Sequence, residues 1–281
     1  MDRNKVMKIK QVRPAVADPL EKLEATVAPV LGLSLATSIG SFGYPNGSTA
    51  LDDLQEYSAD LEERAVLRQQ QQELRRQNNI DAILALAREF LPRYVEEEPV
   101  DVDWLARFIQ YCQDVSDRES QEIWGKILAR ETGKPGSFTL ATLHHLSLLS
   151  STDLYRFGKL CGYLWHIQGR SGLLADEQTE NDLLRYGNID PGESFFKNGL
   201  VSNYPDLRLR FSAGQYHSLE YDDRTVRLIN QQSRKKPDIA IYPLSSFGEI
   251  LYGLIDVDPD ENYFEHCLSQ WRSAGFQVSV S

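Results

Sequence analysis

Four carboxylates gather in the middle of the sequence at a spacing that could do acid–base chemistry. Asp114, Asp117, Glu119 and Glu122 lie within nine residues. Neighbouring carboxylates act as general acid and general base when their surroundings separate their pKa values. Two of the four also fit helix caps, and no histidine lies nearby in sequence. We therefore predict no catalytic residue, but this turn is where an unrecognised activity would be sought.

Metal-ligand spacing is missing from the histidines and cysteines. His144 and His145 are adjacent, so on a helix their side chains point about 100° apart and do not share a ligand. The other histidines have no carboxylate or cysteine at the spacing that a zinc site needs; they are His166, His217 and His266. The three cysteines are scattered and predicted to be buried free thiols in a reducing cytoplasm; they are Cys112, Cys161 and Cys267.

The acidic run at residues 256–261, DVDPDE, offers oxygen ligands for a hard cation. It lacks the glycine and the distal glutamate of a calcium loop, and Asp260 fits a helix cap better. The sequence also contains no G-x-x-x-x-G-K-[ST], no G-x-G-x-x-G and no G-x-S-x-G. These absences argue against nucleotide hydrolysis and serine hydrolysis through the usual motifs. We predict neither a metal nor a cofactor.

Composition indicates a soluble globular protein. The 281 residues are 41% hydrophobic and 25% charged, with a formal net charge of −11. Broad binding to nucleic acid or to an anionic membrane needs a basic surface, so this charge disfavours both. No signal peptide is expected, because the first residues contain no continuous apolar core followed by a cleavage site.

One region is nevertheless basic, and it coincides with predicted strands. It could contact a nucleic-acid backbone, with Tyr216 and Tyr221 interleaved. A solvated strand face explains the same pattern and is the interpretation that we favour. The candidate nucleic-acid-binding residues are Arg208, Arg210, Arg227, Arg234, Lys235 and Lys236.

The strongest helix signals lie between residues 100 and 151. Asp101 or Asp103 can cap a helix that presents bulky apolar residues on one face. Ser116 and Glu119 have the spacing of a capping box for the next helix, and Thr139 and Ser151 are candidate caps for two short helices that follow. The predicted structural core comprises Trp104, Phe108, Ile123, Trp124 and Leu128.

Four short motifs in this part of the chain resemble a bacterial family of uncharacterised proteins. That family is related to the Abi-alpha proteins, named for abortive infection of phage-infected cells. The motifs are WLARF at 104–108, DVSDRE at 114–119, IWGKIL at 123–128 and PGSFT at 135–139. The chain departs from the family pattern at Arg118 and Gly125. The resemblance spans about residues 69–160, implies a link to phage defence, and carries over no catalytic residue.

The N-terminal part of the chain has two unusual segments. Residues 1–51 are predicted to be mobile or to dock, and 25–51 contain no charged residue, with a length that would cover a bilayer. Burial against protein is the preferred interpretation, and membrane association is the alternative. A long helix is predicted from Asp52 to about Leu91, with a first half that is polar nearly all round. Such a helix is either solvated or paired with a copy of itself.

The C-terminal part is predicted to be α+β. An apolar helix that runs through Asn198-Gly199 into Leu200-Val201 is similar to the end of a winged-helix recognition helix. Alternating segments predict antiparallel strands at 207–211, 218–221, 226–229 and 239–242. A helix over 245–251 and a β-α-β end over 254–257, 261–273 and 276–280 complete this part.

The sequence therefore predicts an α+β fold with a mainly helical N-terminal and central region and a C-terminal winged-helix-like α/β part. The predicted domains are 1–51, 52–168 and 169–281. We expect a non-enzymatic interaction or regulatory protein of the bacterial cytoplasm, in stress response or phage defence, that acts through self-association or a protein partner. The alternatives are a DNA-binding winged-helix regulator and a membrane-associated effector that uses residues 25–51.

Overall fold

The computed structural model describes residues 18–31, 61–175, 181, 198–231 and 238–281. The predicted α+β class is confirmed. The chain divides into two compact units, one ending at His144 and the other beginning at His145. The predicted domain boundary at 168/169 falls instead in the two-residue turn of a β-hairpin. The helical part of the predicted winged-helix element, from Phe195 to Lys197, lies outside the described residues.

The first unit is built from helices. Helix α2 packs along α4, and α1 packs against α3 and α4. Two side chains of α1, Leu23 and Val27, are buried, so the charge-free segment at 25–51 begins in a packed helix, while its residues 32–51 lie outside the described part. The helices are α1 (Pro19–Leu31), α2 (Leu61–Glu89), α3 (Val102–Cys112), α4 (Arg118–Gly133) and α5 (Leu140–Ser147), which crosses the boundary.

Aromatic rings fill the centre of this unit. The rings of Trp104 and Phe108 stack with centroids 5.4 Å apart, and Phe108 meets Trp124 edge-on at the same distance. All five predicted core side chains are buried, Ile123 and Leu128 included. Aromatic pairs in these geometries add to the burial of their area.

The cap of α4 differs from the prediction. Asp117, with an extended backbone, accepts hydrogen bonds from the amide and the hydroxyl of Ser120 at 2.9 and 2.8 Å. The predicted Ser116–Glu119 capping box is therefore wrong, because α4 begins one residue later than that box requires. The Ser116 hydroxyl instead accepts a hydrogen bond from the side chain of Asn79 at 3.1 Å. Asp101 caps α3, as one of the two predicted alternatives.

The second unit wraps helices around a seven-stranded antiparallel sheet with strand order β3-β6-β2-β1-β4-β5-β7. Helix α6 begins at a capping box formed by Ser150 and Asp153, one residue before the predicted cap at Ser151. The helices are α6 (Ser151–Cys161), α7 (Ser246–Tyr252) and α8 (Glu261–Ser273). The strands are β1 (Trp165–Ile167), β2 (Arg170–Leu174), β3 (Leu207–Arg210), β4 (Tyr216–Tyr221), β5 (Arg224–Asn230), β6 (Asp238–Pro243) and β7 (Phe276–Val280).

The strand predictions for this unit are wrong at two places. Strands β1 and β2 lie where the sequence analysis predicts no strand, and residues 254–257, predicted as a strand, form none. The predicted β-α-β end is consequently absent from the described residues, and β7 pairs antiparallel with β5. Gln168 and Gly169 join β1 to β2 with φ of 50° and 80°. Two consecutive positive φ values are typical of a type I′ hairpin turn, which glutamine rarely signals in a sequence.

The sheet curves around an aromatic core. Trp165 lies 4.9 Å from Tyr221 and 4.8 Å from Trp271 between ring centroids, so β1, β4 and α8 meet at one point. Phe211 directly follows β3 and Phe276 begins β7, and their rings lie 4.8 Å apart. Because β3 and β7 are the two edge strands, this contact shows that the sheet curls until its edges approach each other.

Candidate functional site

Three carboxylates of the acidic turn between α3 and α4 each contact a different structural partner. Asp114 accepts from Arg75 at 2.6 Å and from Arg76 at 3.2 Å, both on α2. The hydrogen bond to Asp114 raises the pKa of Arg76 above its ordinary value. Asp117 caps α4, and Glu122 pairs with Lys126 at 2.9 Å. Three of the four carboxylates thus stabilise helices or the contact with α2. These three carboxylates do not converge on a common point.

Buried amides complete this junction. The side chain of Asn79 donates to the Gln113 carbonyl at 2.9 Å as well as to Ser116. The side chain of Gln121 donates to the Val115 carbonyl at 2.9 Å. Buried polar groups with partners specify a single packing arrangement, whereas a lost partner leaves a costly unpaired group. These amides therefore fix the α3–α4 turn against α2.

The motif PGSFT is also accounted for by structure. Glu131 is only 2% exposed, and its carboxylate accepts from the amides of Gly136 at 2.6 Å and Phe138 at 2.9 Å. The indole of Trp104 donates to the Phe138 carbonyl at 2.8 Å. Gly136 has φ of +82°, a conformation that favours glycine. The loop after α4 is thereby tied to both α3 and α4.

One cluster with catalytic residue types was missed by the sequence reasoning. Ser171 on β2 lies between His166 on β1 and Glu249 on α7. The Oγ atom of Ser171 is 3.2 Å from Nδ1 of His166 and donates to Oε2 of Glu249 at 3.2 Å. The Ser171 amide donates to Oε1 of the same carboxylate at 2.8 Å. No spacing rule joins residues 166, 171 and 249, since strand pairing and helix packing bring them together.

The order of groups in this cluster differs from that of a nucleophilic triad. In a triad the histidine stands between the serine and the acid and takes the serine proton. Here the serine stands in the middle, and its hydroxyl donates its hydrogen bond to Glu249. The hydroxyl hydrogen is therefore not directed at Nδ1 of His166. Ser171 is also only 2% exposed. The cluster fits a tie between α7 and the β1–β2 hairpin better than a reactive centre.

The predicted basic residues are partly neutralised where they are described. Arg208 pairs with Asp238 at 3.1 Å. The neighbouring Arg224, which is not one of the candidates, donates two hydrogen bonds to the carboxylate of Glu261 at 2.8 and 2.9 Å. The guanidinium of Arg227 lies over the ring of Tyr216 at 4.9 Å. Arg210 is exposed on β3. The remaining candidates, Arg234, Lys235 and Lys236, lie outside the described residues.

The first part of α2 presents apolar side chains to solvent. Residues 65–75 are exposed around the whole helix, and Val66, Leu67 and Leu74 have exposed fractions of 53%, 40% and 66%. From Asn79 onward the same helix buries a face against its unit, including Ile80, Ile83 and Ala87. We call residues 65–78 the arm.

The two leucines of the arm lie on the side of α2 that faces away from its buried residues. The line runs at steps of four and three through Leu67, Gln71, Leu74 and Asn78, which are all exposed, and then through the half-buried Asp81 to the exposed Ala85. The buried residues of the second half lie about half a helical turn away from this line. Among the described residues, the outer line of α2 is therefore an exposed stripe that starts with leucines.

Comparison with known proteins adds one finding. Residues 63–190 match the model of a family described as "Protein of unknown function (DUF2806)". The match begins two residues before the arm and includes the segment that carries the four motifs. No curated protein and no solved structure matches the chain. Among the described residues, no helix combines the length and the apolar character that crossing a membrane requires.

Proposed function

We propose that this is a non-enzymatic interaction protein that acts through self-association, with the arm as the contact surface. The observation that carries the proposal is the pair of exposed leucines, Leu67 and Leu74, on the outer line of α2. A helix that is solvated on all sides gains nothing from leucines at this spacing. A helix that pairs with a copy of itself buries them.

The expected affinity is modest. Full burial of a leucine side chain is worth about 1.5–3 kcal/mol, and a dimer would cover four of them, each already partly buried. Association costs about 4–15 kcal/mol in lost translational and rotational freedom. The two quantities nearly cancel, so the leucines alone do not hold a stable dimer. A dissociation constant of about 100 µM needs a net of about −5.5 kcal/mol, which the polar contacts along the arm have to supply.

The resemblance of the central motifs to the Abi-alpha-related family supports a setting for this association. In that setting the protein is cytoplasmic and bacterial, and it takes part in phage defence or a stress response by assembling with its own copies. A partner that recognises the assembled form would be a protein. The acidic turn enters this account as scaffold, because its carboxylates hold α2 and cap α4.

Nucleic-acid binding is the second candidate, and one observation favours it. Tyr216 is 57% exposed, with the guanidinium of Arg227 over its ring. An exposed tyrosine beside an arginine suits the stacking of an unpaired base. The predicted winged-helix element at 195–201 belongs to this alternative. The ion pairs of Arg208 and Arg224 and the net charge of −11 weigh against it.

The test is the oligomeric state of the full chain with its leucines changed. We expect a dimer at about 100 µM by light scattering with sedimentation, and a monomer for the double variant Leu67→Gln, Leu74→Gln. The control is Leu148→Gln, a leucine of similar exposure (68%) outside the arm, which should leave the dimer intact. A wild-type monomer at that concentration, or a double variant that still dimerises, contradicts the proposal.

A further inference from the structure

We propose that two copies of the arm pair in parallel and in register, so that Asn78 of one copy faces Asn78 of the other. This inference rests on the proposed self-association and adds the orientation and the register of the contact. Four features of the described residues carry it: the spacing along the outer line, the charges beside that line, the placement of Asn78, and the side of α2 on which its own unit lies.

The spacing is that of a short coiled-coil seam. Leu67 and Leu74 are seven residues apart, and Gln71 and Asn78 follow each leucine by four. In the heptad notation abcdefg this places leucines at d and polar residues at a. Leucine at d is common in two-stranded parallel coils. The seam therefore alternates an apolar layer with an amide layer over residues 67–78.

The charges beside the seam favour the parallel orientation. Arg68 and Arg75 directly follow the two leucines and occupy the e flank, and both are exposed. The opposite g flank carries Gln70 and Gln77. An antiparallel pair sets e flanks against each other, so arginines of the two copies would meet. A parallel pair sets each arginine flank against a glutamine flank, whose amide oxygens accept hydrogen bonds from guanidinium.

Arg75 already has a partner in its own chain, but the preference for the parallel orientation remains. Its guanidinium donates to Asp114 at 2.6 Å, but the side chain remains about half exposed. Arg68 has no such restraint from the α3–α4 turn among the described contacts. An antiparallel contact would still oppose Arg68 to an arginine of the other copy.

Asn78 sets the register. It is exposed, whereas the next residue, Asn79, is buried and donates to Gln113 and Ser116. The neighbouring asparagines thus point about 100° apart, one inward and one outward. An asparagine side chain both donates and accepts, so two copies at an a position hydrogen-bond to each other when the helices are parallel and aligned. A shift by three or four residues would set amides of the seam against leucines. A shift by seven residues would set Asn78 against Gln71 and leave only one leucine layer matched.

Among the described residues, the helical unit packs on the side of α2 that lies away from the seam. Ile80, Ile83 and Ala87 bury the side of α2 that lies opposite the seam. Two seams can therefore meet with the two helical units on the outer sides of the pair. The contact should end before Asp81, because a parallel pair would bring two carboxylates together there. Residues 67–78 are thus the predicted extent.

A cysteine at position 78 tests the orientation in the full chain. All three native cysteines are buried, so the new thiol of Asn78→Cys would be the accessible one. In a parallel, aligned pair the two new thiols face each other, and mild oxidation should link most of the dimer covalently. In an antiparallel pair centred on the seam, two copies of position 78 lie roughly 15–25 Å apart along the axis, at about 1.5 Å per residue, beyond the reach of a disulfide.

The second arm of the experiment mixes two variants. Asn78→Cys is combined with Leu67→Cys, and the products are separated by mass. Efficient links between two Asn78→Cys chains, with few mixed links, support the proposal. Predominantly mixed links overturn the parallel orientation while self-association stands. A dimer with neither link overturns the register, and a monomer by light scattering removes both the inference and the proposed function.

Discussion

The two halves of α2 have the same secondary structure and opposite surroundings. The second half places Ile80, Ile83 and Leu84 against α4, where they are almost fully buried. The arm places Leu67 and Leu74 in solvent, on the other side of the helix. Stability of the first unit therefore depends on one half, and the proposed contact between copies depends on the other.

In α2, the role of a leucine follows from its angular position around the helix, since leucines occur on both the buried and the exposed side. Within α2, an apolar residue on the inner line contributes to folding, and an apolar residue on the outer line contributes nothing to the isolated chain. A single helix can thus carry two independent sets of side chains. Substitutions on the two lines should have separable effects.

The largest effect is expected from the inner line. Leu84→Ala removes a buried side chain, which typically costs about 2–5 kcal/mol because the cavity does not close fully. Leu74→Ala should change the free energy of unfolding of the monomer by less than about 0.5 kcal/mol. Urea unfolding of dilute samples measures both. Equal destabilisation by the two substitutions would show that the outer leucine contributes to folding as much as the inner one.

The next effect concerns the contact between α2 and α4. A Cβ atom on Gly125 would lie 2.8 Å from Cβ of Leu86 and 3.2 Å from the backbone nitrogen of Ala87. Gly125→Ala should therefore destabilise the protein by about 1–3 kcal/mol through overpacking, despite the better helix propensity of alanine.

Gly158 in α6 is the matched control for that substitution. Its added Cβ would meet Cγ2 of Ile255 at 3.6 Å, an ordinary contact. Gly158→Ala should be neutral or stabilising by up to about 1 kcal/mol, as the helix propensity of alanine predicts. Thermal unfolding of both variants gives the answer, and a stabilised Gly125→Ala protein would show that α2 and α4 can move apart without cost.

The buried half of α2 was predictable from the sequence, and so was the helical core. The pattern Ile80, Ile83, Leu84 repeats at helical spacing, and so do the core residues around Trp104 and Trp124, because burial selects apolar side chains on one face. Gly125 departs from the motif pattern because the backbone of α2 lies too close for a Cβ atom. This contact is between two helices, so no local sequence pattern predicts it.

The polar tie His166–Ser171–Glu249 and the cap of α4 were not predictable in the same way. The former joins residues from two strands and a helix that is distant in sequence. Only the tertiary structure brings these residues together, so no local sequence pattern predicts the contact. In the latter, Ser116 and Asp117 are both good caps, and Asn79 decides between them by binding the Ser116 hydroxyl. The hairpin of β1 and β2 was also not predictable, because its turn contains neither an asparagine nor a leading glycine, the residues that usually signal such a turn.

A smaller effect is expected at the start of α4, in the turn that packs against the middle of α2. Asp117→Ala removes the side chain that caps α4 and should cost about 1 kcal/mol, within the usual range of about 0.5–2 kcal/mol. Glu119→Ala, at the other residue of the rejected capping box, should cost less than about 0.5 kcal/mol because that side chain is exposed. A larger loss at Glu119 than at Asp117 would restore the capping box.

The smallest effect is expected from Asp81, where the outer line of α2 meets the half-buried region. Burial raises the pKa of this carboxyl above its ordinary value, although a hydrogen bond from Gln77 at 2.9 Å opposes the shift. The folded state therefore holds the proton more tightly than the unfolded chain, so Asp81 lowers stability as the pH rises through the unfolded and then the folded pKa. Asp81→Asn should be slightly more stable than the wild type near neutral pH and equal to it at low pH, where both chains carry a neutral side chain. Urea unfolding at pH 7 and at about pH 3 measures the difference, and a variant that loses stability at pH 7 would show that the ionised carboxylate has a stabilising partner.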